Sequence, residues 1–256
     1  MANLEIKIPA IQKEYKVPTN QPTWKSQAIS TIKKVKALYG KVLQEASDYT
    51  GVPLSILVGF TATESGGSKN ETLKGSAKGI MQVEVGTAWQ VLSDQLKVDT
   101  IGNFNVFYKL APSLFTVTKA IPNPIGASAN DPARNYLKIK PLKSVSNLIA
   151  NYLTTADAKF SAYVGGLTLA QHINKTIKSV GQIRLDHIII KYNAGIGSFS
   201  SRVAKKGLEK SSVDSTALYN TIPQNFASRK AEVLQAYLTK MLGINGYLDV
   251  QKQKLA

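Results

Sequence analysis

Cysteine is absent from this 256-residue chain, and histidine occurs twice, as His172 and His187. The first absence removes thiolate nucleophiles, thiolate zinc sites, cysteine-bound clusters and any disulfide scaffold. The two histidines make no recognisable ligand pair or triad, so both are read as helix-face residues and no metal site is expected. No uncharged apolar stretch is long enough to cross a bilayer, so no membrane span is expected. The first twenty residues lack an apolar core and a small-residue cleavage site, which reads as a soluble protein without a secretory leader of its own. Strand signals are weak throughout. A phosphate-cradling glycine loop is also missing, since Gly195 and Gly197 follow a helical pattern where a dinucleotide fingerprint would precede one. No cofactor is implied.

Acid is the scarcer charge: 16 Asp and Glu stand against 32 Lys and Arg, a net charge of +16. The excess is uneven, because residues 51–100 carry five acids against four lysines while every other stretch is net basic. A basic exterior around a less basic segment suits capture of a polyanion, for which nucleic acid, anionic membrane and bacterial wall polymer all qualify. No basic helix interleaved with aromatics supports specific nucleic-acid binding. The 43% of hydrophobic residues is ample for one substantial core, which excludes a disordered chain, and the length is under two domains at about 150 residues each.

Residues 1–22 contain Pro9, Pro18 and Pro22, show no helical periodicity, and read as an extended N-terminal arm that ties the chain to a partner. From Thr23, an N-cap residue type, Trp24, Ala28, Ile32, Val35, Leu38 and Val42 recur at helical spacing with lysines mostly between them. Pro53 opens a second helix, whose Leu54, Ile56, Leu57, Val58 and Phe60 are apolar nearly all round, so it is expected to be buried. Further helices are expected at about 87–96, 145–158, 167–180, 182–192 and 226–242, with an extended or β element near 68–85. Residues 100–143, with five prolines, read as a long loop or small insertion. The expectation is a mainly α protein with a single helical domain over 23–243 and a short tail at 244–256.

Three short stretches carry candidate chemistry: TATESGG at 61–67, GSAKGIMQVEVGTAW at 75–89 and KYNAGIGSF at 191–199. Glu64 stands in the last turn of the buried second helix, where the helix dipole disfavours a negative charge, so its pKa should be raised. A glutamate kept protonated near neutral pH is what glycoside cleavage needs, because a poor leaving oxygen must be protonated. Gln82 offers both a donor and an acceptor to an amide or a sugar hydroxyl, and Met81 can pack against the apolar face of a sugar ring. Ser76 equally suits a Gly-rich turn, Met81 equally suits a core, and Asn193 equally suits a helix C-terminus.

The order and spacing of these motifs resemble the soluble lytic transglycosylase family, whose catalytic domain is related to goose-type lysozyme, over roughly residues 45–240. The resemblance implies a lysozyme-like fold and a peptidoglycan substrate. It makes Glu64, followed by Ser65, the catalytic residue, and places Ser65, Ser76, Met81, Gln82, Tyr192 and Asn193 on the substrate side. It also implies cleavage of the MurNAc-β-1,4-GlcNAc bond with formation of a 1,6-anhydro sugar, without a second carboxylate. Glu84, just past the Met-Gln pair where the family more often has an apolar residue, departs from the pattern and leaves a lysozyme-type hydrolase open, with Glu71, Asp94 and Asp99 as other carboxylate candidates. The segment from Pro223 to Arg229 also lacks the family's usual Pro-Xaa-Glu-Thr-Xaa-Xaa-Tyr-Val pattern. Taken with the arm, these features suggest a bacteriophage tail or baseplate lysin, attached to tail proteins through residues 1–22 and acting in the host cell envelope. An endolysin acting from the host cytoplasm and a non-catalytic tail protein that grips glycan are the alternatives.

Overall fold

The first helix forms because apolar side chains return every three or four residues along a lysine-rich sequence. In the computed structural model, which describes residues 24–70, 75–98, 101–121, 133–180, 183–203 and 215–254, this is α1, Trp24–Thr50. Its buried stripe is Ala28, Ile32, Val35, Tyr39, Leu43, Ala46 and Thr50. The sequence expectation drifted one residue off this stripe in the second half, for Leu38 is 50% exposed while Tyr39 and Leu43 are buried. A period of 3.6 explains the difference, since steps of four and three must alternate to stay on one face. The N-terminal arm and the carboxylates Glu71 and Asp99 lie outside the described residues.

The protein is mainly helical, with two small antiparallel sheets among the described residues, and its chain divides into two compact units where one domain was expected. One unit comprises residues up to 67 and from 169 onward, the other residues 68–168. Among the described residues no helix is long and apolar enough to cross a membrane.

In the first unit α2, Leu54–Ser65, follows Pro53 and is buried on nearly all sides, as its composition predicts. Gly66 ends it in the left-handed conformation, φ 59°, and its N–H donates back to Ala62 O. Helix α2 packs against α1, against α10 (Ser228–Leu242) and against α11 (Tyr247–Lys252). Helix α10 also packs on α7 (Leu185–Ala194) and α9 (Ser215–Asn225), and the short α8, Ile196–Arg202, follows α7. Residues 244–256, expected as a tail, instead contain α11, whose Tyr247, Leu248 and Val250 are buried.

The second unit holds α3 (Val85–Val98), α4 (Ile101–Leu110), α5 (Leu142–Leu153) and the first half of α6 (Lys159–Val180). The β element expected near 68–85 is there as β1, Ala77–Lys78, paired antiparallel with β2, Val83–Glu84. Of the two readings of residues 100–143, a long loop or a small insertion, the loop is corrected: the segment contains α4 and a second sheet in which β3, Phe115–Val117, pairs with β4, Leu137–Ile139. The prolines that suggested a loop fall largely between these elements, and Pro112 starts a short 3-10 turn. Asn70 closes the unit internally, donating to Leu153 O at 2.8 Å and Thr155 O at 2.7 Å.

Candidate active site

Glu64 reaches its place because α2 is too apolar to turn its last residues to water. It is half-buried, and one turn earlier on the same face stands Phe60, fully buried. Two tyrosines from other helices pack on that ring: Tyr192 of α7 with centroids 5.0 Å apart, and Tyr237 of α10 at 5.7 Å. The Tyr237 hydroxyl donates to Glu64 Oε1 at 2.9 Å. A carboxyl group thus stands one helical turn from a ring on which two tyrosines pack, with one of their phenols bonded to it.

Burial pushes the Glu64 carboxyl up from its ordinary 4.5 to about 7, against the opposing effects of the Tyr237 hydrogen bond and the Lys230 charge. A group with that value is both a competent proton donor and a competent acceptor near neutral pH. The two phenols stay protonated, since burial first and the charge of Glu64 second raise Tyr192 and Tyr237 well above the ordinary tyrosine range. Neither is a base near neutral pH, and Tyr237 acts as a donor to the carboxyl. Behind Tyr192, His172 packs edge-on with centroids 6.1 Å apart, and burial together with Lys175 and Lys191 lowers it to about 3. His172 is therefore a neutral packing group, and His187 is fully buried against Phe199.

The other residues predicted from sequence fall in different settings. Ser65 is buried and donates to Thr61 O one turn back along α2, so its hydroxyl closes on its own helix. Asn193 accepts from Lys230 Nζ twice, at its carbonyl (2.8 Å) and at Oδ1 (2.9 Å), which leaves its side-chain N–H groups as the donors it could offer. In the second unit Ser76 and Glu84 are exposed, beside and on the β1–β2 hairpin. Gln82 turns that hairpin with φ 46°, and both its backbone N–H and its side-chain amide donate to Gly79 O. Gly79, φ 76°, is held so close to Ser161 and to Leu153 O that no side chain fits there. Met81, for which a sugar platform and a core position were both open, is fully buried with its sulfur pressed against Gly165, so it packs the core. Asp94 accepts from Gln90 and pairs with Lys97 on the surface of α3.

Sequence reasoning singled out Glu64 and Tyr192 but missed Phe60, Lys230 and Tyr237. The signal for Phe60 was its i−4 spacing from the acid. Lys230 and Tyr237 lie seven residues apart, on one face of α10, and a buried tyrosine needs a partner for its hydroxyl. Among the described residues no three or more of His, Asp and Glu gather as a metal site would require. No family model, curated protein or solved structure matches the chain.

Proposed function

We propose that this protein cleaves the MurNAc-β-1,4-GlcNAc bond of peptidoglycan as a lytic transglycosylase of lysozyme-like fold, with Glu64 as acid and then base. The observation that carries the reading is the Glu64 carboxyl itself: half-buried, bonded to the Tyr237 hydroxyl, and raised to about 7 by burial. The +16 net charge suits an anionic wall. A bacteriophage tail or baseplate as carrier, and the cell envelope as the place of action, belong to the same proposal.

In the first half of the reaction the protonated Glu64 gives its proton to the glycosidic oxygen as the C1–O bond breaks, and the substrate's acetamido carbonyl stabilises C1. Tyr237, still bonded to Oε1, and Lys230 both favour the carboxylate that is left. In the second half that carboxylate removes the proton of the C6 hydroxyl as the O6–C1 bond closes the 1,6-anhydro ring. Glu64 ends as it began, and no water is consumed.

The test is digestion of purified peptidoglycan by the wild-type protein and by Glu64→Gln, with the released muropeptides weighed by mass spectrometry. Products lighter by one water than hydrolysed muropeptides, absent with the variant, support the proposal. Reducing-end products would make the protein a lysozyme-type hydrolase and call for a second carboxylate. No release from several wall types would overturn enzymatic action and leave glycan binding as the function to measure.

A further inference from the structure

We propose that Lys230 is a positioning residue for Glu64, clamping the end of α7 through Asn193 and thereby keeping a fixed positive charge beside the carboxyl. The proposal rests on the glycan-cleaving reading for its catalytic meaning, but its electrostatic part stands without it. Lys230 lies in the first turn of α10 and donates to both oxygens that Asn193 presents, the backbone carbonyl at 2.8 Å and Oδ1 at 2.9 Å. That carbonyl belongs to the last turn of α7, where backbone oxygens lack helical partners and the dipole attracts a cation. The next residue back is Tyr192, which packs on Phe60. Two turns further along α10, Tyr237 donates to Glu64. One helix therefore delivers both the hydroxyl on the acid and the ammonium that fixes the neighbouring turn.

A free lysine on a surface is a mobile, screened charge, whereas one held by two acceptors stays where it is put. The groups around Glu64 allow its effect to be isolated. Helix α2 itself carries no other charged side chain. From α7 and α10 come the two phenols, which stay neutral, and Tyr247 of α11 is likewise raised by burial. On the other elements packed against α2, Asp249 of α11 is occupied by Asn245 N–H and Gln253, and Lys34 of α1 lies along Gly67. The Lys230 charge bears on Glu64 and favours the anion. Its place in the reaction is the carboxylate stage, after proton donation and before the proton is regained.

The experiment is a carbon-13 NMR titration of the Glu64 carboxyl in the wild-type protein, Lys230→Met, Lys230→Gln and Lys230→Arg, paired with the pH profile of kcat/KM on peptidoglycan. Lys230→Met and Lys230→Gln should move the Glu64 midpoint, and with it the alkaline limb of the profile, to higher pH. Lys230→Arg should leave both near the wild-type position. Gln keeps an N–H donor for Asn193 without the charge, so it reports on the charge even if Met disturbs the fold. An unmoved midpoint in folded Lys230→Gln overturns the proposal, whatever the activity. A shifted midpoint in a protein that releases no muropeptides would sustain the electrostatic role and sink the enzymatic reading instead.

Discussion

Two carboxylates of the same unit are withdrawn from water in opposite ways. Asp186 is fully buried in the first turn of α7, where the helix dipole favours an anion, and the Arg184 guanidinium grips it through Nε at 3.0 Å and Nη2 at 2.6 Å. Glu64 stands in the last turn of α2, where the dipole opposes an anion, and its hydrogen-bond donor is the neutral hydroxyl of Tyr237. Burial alone does not decide what a carboxyl does. Asp186 has a guanidinium on both of its oxygens, whereas for Glu64 burial outweighs the Tyr237 hydrogen bond and the Lys230 charge and leaves an acid able to exchange its proton near neutral pH.

The hardest way to break the comparison is to remove the exchangeable proton. Glu64→Gln keeps an oxygen for Tyr237 but has no acidic proton to transfer, and should lower muropeptide release about a thousandfold while the folded circular dichroism is kept. Next is the structural pair. Arg184→Met leaves Asp186 buried without its cation, which should cost about 3 to 5 kcal/mol in urea unfolding at neutral pH. If Asp186 were also part of the chemistry, the remaining folded fraction would show a displaced pH profile; a profile that keeps its limbs separates the two roles.

Through Glu64, pH also acts on the stability of the fold. Glu64 is raised from 4.5 to about 7 on folding, so between those values the folded protein holds a proton that the unfolded chain has released. Stability from this group is complete below about pH 4.5 and is lost as pH rises through 7, a decline of at most about 3 kcal/mol. Glu64→Gln should abolish that slope, and at pH 8 should be more stable than the wild type while being inactive. Unfolding free energies of the two proteins that run parallel from pH 4 to 8 would mean that folding does not raise the Glu64 carboxyl.

The contrast also explains what could be read in advance. Burial of α2 was legible because Leu54, Ile56, Leu57, Val58 and Phe60 leave no polar face, and the raised Glu64 followed from its place at that helix's end. Helix α4 is hard to read from sequence because Phe104 and Phe107 are its fully buried apolar pair, too few to show a period beside a proline-rich stretch. Helix α11 was missed because a six-residue element has too few turns to show a period. Met81 could not be placed from sequence, since a sugar platform and a core methionine look alike until Gly165 is brought against it. Tyr237 lies 173 positions from Glu64, and a pairing that distant is written in tertiary packing rather than in any local motif.

The mildest change sharpens the comparison most. Tyr237→Phe keeps the ring that packs on Phe60 and deletes only the hydroxyl on Glu64 Oε1. That hydrogen bond opposes the rise in the Glu64 pKa, so its loss should carry the carboxyl further up and move the alkaline limb of kcat/KM to higher pH. The rate at the optimum should fall about tenfold or less, as expected when one donor that favours the reacting carboxylate is removed. A limb displaced upward with a small loss of rate would show that Tyr237 tunes an acid that already works. A thousandfold loss with an unmoved limb would instead make the phenol a direct partner of the substrate, and the resemblance between the roles of Tyr237 and Arg184, each a donor to a buried carboxyl, would end there.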